Sequence, residues 1–414
     1  MKKIITVFLI VLLSACAGQQ RETNKLANQL QLQNPLHVLE QLQLTEPPER
    51  DYAQFHLNVG LLQLLSGDFP GSIETLTQAK KEMAVLTATS ISENAAAGTV
   101  NETLRSYSGY PTDRVMVHNI LALSYLFNDD IDGARVEMLQ ADISMRKLAS
   151  KKSLEGQLAS SHLLAGIIYE LLDEQSNALI SYKHAEELLT QRKLAIPKSL
   201  KKSLLRMSYA VDKNGQYSRY KKRYSGFPTP IKNNNNQVFS LYFDGVVSNK
   251  KQNSIMVPSG NGEQLIRIAM PAYPNMNYRI THAKLSDATQ QFKTELIENV
   301  EVLVREDLSA EYPSILLLTT ARAIAKYELV AQADKKDSLF GTLANLVTAL
   351  TEIADLRSWN MLPSNIQVSY LETKDTELKI DSINAVQQKV ALKVGSKNLL
   401  LISSLDTPVF HYAQ

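Results

Sequence analysis

Between Val115 and Ala141 the chain reads VMVHNILALSYLFNDDIDGARVEMLQA, with apolar residues three and four apart on both sides of Asn128-Asp129-Asp130. That spacing gathers each apolar set on one helical face, and the polar triplet between them is a turn, so the stretch predicts a hairpin of two amphipathic helices. A lone hairpin leaves an apolar face in water, and stacking further hairpins beside it covers that face. The chain repeats the pattern. Counted from Val115, the eighth, twentieth and twenty-seventh places hold Ala122, Ala134 and Ala141; counted from Ala159 they hold Gly166, Ala178 and Ala185; counted from Ala53, Gly60, Ser72 and Ala79. Small side chains at these places let neighbouring helices approach closely.

The pattern resembles the tetratricopeptide (TPR) repeat, which implies an all-α TPR-like helical repeat domain over 26–224 that binds rather than catalyses. Leu26–Leu44, broken at Asn34-Pro35, reads as a half-repeat capping the stack, and Gly67-Asp68-Phe69 as the turn of the first full unit. Lys80–Arg114 is an insertion carrying Tyr107-Ser108-Gly109-Tyr110-Pro111; insertions of that length inside a stack are binding loops or disordered, and Tyr107, Tyr110 and Arg114 are candidate partner-binding residues. Lys198–Tyr224 is a degenerate fourth unit with Asn214-Gly215 at its turn. Tyr217, Tyr220 and Tyr224 share one face of its second helix, with Lys221, Lys222 and Arg223 opposite. This face is either a terminal cap with a solvated basic side or, through Tyr217 and Tyr220, a contact for an acidic partner or anionic headgroups.

Residues 1–15 read as a targeting segment. Lys2 and Lys3 precede an apolar run, Ile4–Leu13, too short for a membrane span. It ends in Leu13-Ser14-Ala15-Cys16, which resembles the bacterial lipobox; the resemblance implies that Cys16 becomes the acylated N-terminus, anchoring the chain by its acyl chains. Ala17 follows instead of the aspartate that in this class favours inner-membrane retention, which implies a periplasm-facing outer-membrane lipoprotein, with 16–25 as tether. Cys16 is the only cysteine, so the mature chain has no thiol for a disulfide, zinc cluster or nucleophile. The formal net charge of +2 falls to zero once Lys2 and Lys3 are removed, which disfavours nucleic acid as a partner.

Residues 225–236, with Gly226, Pro228, Pro230 and four consecutive asparagines, read as a linker. From 237 to 414 the period changes. Val238–Val247, Ser254–Val257, Gln264–Met270 and Tyr278–Leu285 alternate as strands do. Helical spacing then returns, predicting helices over Ser286–Glu306 with Asp287 near its start, from Pro313 to Ala333, and over Leu339–Arg357. Ile366–Leu371, Leu378–Ile380, Lys389–Val394 and Asn398–Ser404 read as further strands. The expectation is an α+β domain with antiparallel strands and a helical insertion.

Asp355-Leu-Arg-Ser-Trp-Asn-Met-Leu-Pro363 has the form DxRSWxxLP. Together with Tyr107-x-Gly109, Arg114–Leu126 (RVxxHxxxALxYL) and Ala134-Arg-Val-Glu137, it resembles a family of uncharacterised bacterial lipoproteins with TPR-like repeats. The resemblance implies the two-part layout and no particular reaction. Within the signature, Asp355 and Arg357 are spaced to pair, Trp359 is the sole tryptophan, and these residues with Pro363 form a structural anchor.

His56, His118 and His162 occupy the fourth place of their repeats. Backbone-equivalent positions on helices packed ~8–10 Å apart do not converge easily on one ion, so these rings are expected to fill the interface and no metal is assigned. No GxSxG, HExxH, Walker or dinucleotide turn occurs. Ser259-Gly260-Asn261-Gly262 reads as a turn between strands, and the pairs Glu186-Glu187 and Glu295-Glu298 as solvated helical faces. These readings predict a non-enzymatic, lipid-anchored envelope scaffold that binds a protein partner and carries no cofactor beyond the lipid on Cys16. The competing expectation is a cell-wall (peptidoglycan) enzyme or an activator of one; a pilot-type lipoprotein is a special case of the scaffold.

Overall fold

Each hairpin closes on a turn written in its own sequence. The computed structural model describes residues 20–97, 105–149, 153–230, 234–258, 265–276, 279–334, 353–383 and 387–414. The cap is formed by helix α1 over 20–29 and α2 (Pro35–Gln43), whose first turn is capped by the Asn34 side chain. Helices α3 (Tyr52–Ser66) and α4 (Phe69–Ala97), α5 (Pro111–Phe127) and α6 (Ile131–Leu148), α7 (Ala159–Leu171) and α8 (Gln175–Gln191), and α9 (Lys198–Val211) and α10 (Gln216–Arg223) form successive pairs. At three of the turns an aspartate accepts the backbone N–H of a glycine three residues later: Asp68 from Gly71 at 3.0 Å, Asp130 from Gly133 at 2.7 Å and Asp212 from Gly215 at 2.9 Å. The small eighth place is a steric requirement. A Cβ on Gly60 would lie 2.4 Å from Leu76, and one on Gly166 would lie 2.4 Å from the Tyr182 ring.

The second half supplies a five-stranded sheet of order β11-β10-β1-β7-β6, built from β1 (Asn236–Asp244), β6 (Glu295–Asn299), β7 (Asn365–Thr373), β10 (Lys397–Ser403) and β11 (Phe410–Ala413). Alternation along the strands sorts its side chains. Phe239, Leu241, Val368, Tyr370, Leu399 and Leu401 face the first helices of the hairpins and join one continuous core with them. Val238, Tyr242, Leu371, Leu400 and Ile402 face the other way, onto a four-stranded sheet of order β5-β4-β8-β9. Its strands are β4 (Lys284–Ser286), β5 (Gln291–Lys293), β8 (Glu377–Asp381) and β9 (Gln388–Ala391). The layers are therefore helices, sheet, sheet. A separate hairpin of β2 (Lys251–Pro258) and β3 (Leu265–Ala272) lies against α11 (Val300–Asp334).

The sheet filling the inner side of the stack explains α7, in which all 13 residues are buried: an α-helix without a solvent face must be covered on every side. Three carboxylates from β6 and α11 fasten the layers. Glu295 accepts the N–H of Lys198 at 2.8 Å, Glu298 that of Ser160 at 3.1 Å and Asp307 that of Thr112 at 3.0 Å. These N–H groups open α9, α7 and α5, where unpaired donors and the positive end of the helix dipole attract negative charge.

Several expectations are corrected. The helix expected over Ser286–Glu306 is β4, β5 and β6 followed by α11, which starts only at Val300. Asp287 Oδ1 accepts from the backbone N–H of Thr289 and Gln290 at 2.8 and 2.7 Å, so it turns a hairpin instead of capping a helix. The Asn299 side chain is the cap, accepting from Val302 N at 3.1 Å. Glu295 and Glu298 accordingly lie on a strand. Pro313 starts nothing: it sits inside α11, which continues through it. Of the helix expected over Leu339–Arg357, residues up to 352 lie outside the described residues and 353–357 are not helical. The sheet is not wholly antiparallel, since β1 pairs with β10 in parallel. Residues 20–25, read as tether, belong to α1, where Glu22 and Lys25 pair at 3.0 Å. The Ser259–Gly262 turn lies outside the described residues, as do residues 1–15 and Cys16. Among the described residues no helix is long and apolar enough to cross a membrane.

A buried ionic junction and the groove beside it

The signature loop 355–363 is where the two halves are tied together. Arg357 forms the knot. Its Nη2 donates to Asp355 Oδ2 at 2.6 Å and to the Arg105 carbonyl at 2.6 Å, and its Nη1 donates to Asp51 Oδ1 at 2.7 Å and to the Arg50 carbonyl at 3.3 Å. Burial disfavours both charges, but the pairing outweighs it: Asp355 is held below its ordinary pKa and Arg357 above its own. Around the knot, Gln54 donates to the Ser358 carbonyl at 2.7 Å, and Asn360 is bonded to Asn58, Asn24 and Asn249. Trp359 is 1% exposed and Pro363 is buried. Asp355 and Arg357 are thus an ion pair at 2.6 Å, with Trp359 and Pro363 buried in the same loop.

Tyr107, Tyr110 and Arg114 converge on the same junction, turned inward. Tyr107 is buried; its hydroxyl donates to Asp113 at 2.5 Å and its backbone N–H to Arg50 O at 2.8 Å. Asp113 also accepts the N–H of Tyr110 at 2.9 Å, closing the first turn of α5. Arg114 reaches back to the Ser108 carbonyl at 3.2 Å. As a recognition surface these tyrosines are corrected: their rings and hydroxyls serve the interior. Sequence reading missed Lys250. It is 2% exposed and donates to Tyr110 Oη at 2.5 Å and to the Arg357 carbonyl at 2.9 Å. Burial pulls its pKa down to about 8, against the attraction of Asp355, Glu311 and Asp113. Nothing local marks Lys250, which lies between strands; the Tyr110-to-Asp113 capping spacing was the signal available for Asp113.

Tyr217 and Tyr220 are likewise absorbed by the terminal cap. Tyr217 is buried with its ring against Tyr209 at 4.9 Å, while Tyr220 and Tyr224 donate their hydroxyls to Glu186. Glu186 is buried and also pairs with Arg223 at 3.0 Å, so it is not part of a solvated face. The repeat histidines have separate partners. His56 meets Glu82 at 3.1 Å, His118 meets Glu137 at 2.7 Å, and His162 lies against the His184 ring at 5.1 Å. Burial, then the neighbouring His184, lowers the His162 pKa to about 4. Among the described residues no three or more His, Cys, Asp or Glu side chains are grouped to hold a metal ion.

On the outer side of the junction lies an open groove of about 840 Å³, between the start of α3, the flank of α4 and Ser106. Tyr52, Gln78, Lys81, Glu82 and Val85 line it, mixing apolar surface with both signs of charge. Two backbone carbonyls held by Arg357, those of Arg50 and Arg105, belong to or adjoin its rims. Tyr52 and Val85 are 41% and 61% exposed. The arrangement offers a preformed surface on a rigid support.

No protein-family model matches the sequence, and no curated protein matches it. Among solved structures, the chain is similar to the apo form of RapI, with a TM-score of 0.36 and 15% identity over 48% of this chain and 66% of that one. It is similar also to a Rap protein complexed with competence and sporulation factor (TM-score 0.30, 16% identity, 46% of this chain and 45% of that one). A third is BtubC from P. vanneervenii (TM-score 0.31, 14% identity, 54% of this chain and 85% of that one). The match spans less than two thirds of the length of the two Rap chains.

Proposed function

We propose that this protein is a lipid-anchored adaptor of the bacterial envelope that holds a segment of a protein partner in the groove between α3 and α4, without catalysing a reaction. The observation that carries this reading is the occupation of the inner side of the helical stack by the chain's own sheet. A partner cannot lie there, and the groove of about 840 Å³ is on the outer side, with exposed Tyr52 and Val85 and the charges of Lys81 and Glu82. Exposed aromatic and apolar anchors rimmed by charge suit an extended polypeptide. The lipobox-like Leu13–Cys16 supports attachment to the outer membrane, facing the periplasm, through acylated Cys16.

The cell-wall enzyme reading is the weaker one. The carboxylates that burial pushes up to about 7, Glu298 and Asp307, accept the N–H groups that open α7 and α5. The lowered amine of Lys250 donates to Tyr110 and Arg357. Groups so engaged are poor candidates for proton transfer to a substrate.

A photocrosslinking amino acid placed at Gln78 in intact cells tests the groove. One reproducible protein adduct is expected, lost in Val85→Asp and retained in Ile180→Asp on α8, outside the groove. Equal adducts in both variants would overturn the groove as the binding surface. Cys16→Ser is expected to abolish lipid labelling; labelling that persists would overturn the anchor and leave the groove standing.

A further inference from the structure

A second cavity, of about 270 Å³, lies between α9, residues 227–230 and the sheets. Phe227, Pro228, Pro230, Phe292 and Tyr370 give it apolar walls, and two cations one helical turn apart on α9, Lys202 and Arg206, line it too. Lys202 is half-buried. Its ammonium lies 5.7 Å from the Phe292 centroid and 5.8 Å from that of Tyr370, and it forms no hydrogen bond or ion pair among the described residues. Arg206 stacks 3.8 Å from the Tyr370 centroid and pairs with Glu170 through Nη2, yet its Nε and Nη1 are buried without an acceptor. Burial lowers the Lys202 pKa, and the opposing charge of Glu372 offsets only part of this.

A partly desolvated ammonium at the outer edge of cation–π range still has its N–H donors unfilled by the rings, and a charge-assisted bond to a carboxylate is among the stronger polar contacts. We propose that this cavity binds a small carboxylate with an apolar, preferentially aromatic body, its head group on Lys202 and its body among Phe227, Phe292 and Pro228. The volume falls just below the ~300–1,000 Å³ usual for drug-sized ligands, which restricts the occupant to a small free acid or the last residue of a peptide. Glu372, which accepts from the Tyr370 hydroxyl at 2.7 Å, also lines the cavity and disfavours a second negative charge.

The test is calorimetric titration of detergent-solubilised full-length protein with 3-phenylpropanoate, with neutral 3-phenylpropanamide, and with a tripeptide ending in a free-carboxylate phenylalanine. The acid is expected to bind about tenfold more tightly than the amide, the worth of one charge-assisted hydrogen bond. Lys202→Met is expected to erase that difference, and Lys202→Arg to preserve it. Lys213→Met, which takes a lysine from the Tyr209 ring at 4.9 Å, is expected to change nothing. Whichever of acid and peptide binds more tightly through Lys202 identifies the source of the carboxylate. Acid and amide binding alike, an unchanged affinity in Lys202→Met, or no binding of either carboxylate would overturn the proposal.

Discussion

Arg357 joins three separate stretches of the chain with one guanidinium, reaching Asp355, the Arg50–Asp51 turn and Arg105. Removing it leaves Asp355 and Asp51 as half-buried carboxylates without their counter-ion and strips donors from the Arg50 and Arg105 carbonyls. Breaking a fully buried pair from one side costs ~3–5 kcal/mol; with the remaining carboxylates half-buried, Arg357→Ala should lower the urea midpoint by a margin at the low end of that range. Arg357→Lys should recover little, because an ammonium cannot reproduce the planar fork that reaches five acceptor oxygens. A midpoint restored by lysine would mean that charge alone matters there. At Gly166 the issue is space. A methyl group would meet the Tyr182 ring at 2.4 Å, and Tyr182 is itself buried with its hydroxyl on Glu170 at 2.8 Å. Gly166→Ala is therefore expected to destabilise by ~1–3 kcal/mol in chemical denaturation. Both residues stood out in the sequence, the glycine by its place in the repeat and the arginine by its motif. The distant partners of Arg357, 306 residues away at Asp51 and 252 at Arg105, did not.

At the scale of elements, what was legible follows the range of the forces that form them. The helix pairs from α3 to α10 rest on periodicity and on turns within a few residues, and they formed where the pattern placed them. The expected helix over Ser286–Glu306 failed from Ser286 to Asn299 because one aspartate can cap a helix or turn a hairpin, and only the strand pairing of β4 with β8 decides which. The carboxylate caps were hidden for the same reason: Glu298 and Asp307 meet donors 138 and 195 residues away. Their chemistry makes a sharp prediction. Burial raises Glu298 from its ordinary 4.5 to about 7 and Asp307 from 3.8 to about 7. Between the unfolded and folded values the native state binds more protons than the unfolded one, so stability falls as pH rises through that window and levels off above it. Each carboxylate contributes on the order of 3–4 kcal/mol to the fall. Glu298→Gln stays neutral while keeping an amide oxygen for Ser160 N–H, so its loss of stability from pH 5 to pH 8 should be smaller than that of the wild type. An identical slope would show that Glu298 titrates normally.

For the whole molecule, the decisive fact is that the helical stack and the sheet share one core. Leu61, Leu121 and Ile167 from the hairpins belong to the same buried cluster as Phe239, Val368 and Leu401 from the strands. The helices cannot keep their inner faces dry without the sheet, and the sheet would expose its helix-facing side without them. Unfolding should therefore be a single cooperative event even though the chain has 414 residues, a size at which separate domain transitions are common. The protein carries its own reporter. Its only tryptophan, Trp359, is 1% exposed in the junction between the halves, so its fluorescence reads the loss of that contact, while far-UV circular dichroism reads chiefly the helices. In guanidinium the two curves should superimpose, with one midpoint and one slope. Tryptophan emission shifting at a lower denaturant concentration than the helical signal would mean that the halves separate before the stack unfolds. The sheet would then be a detachable cover, and the inner side of the hairpins would again be open to a partner.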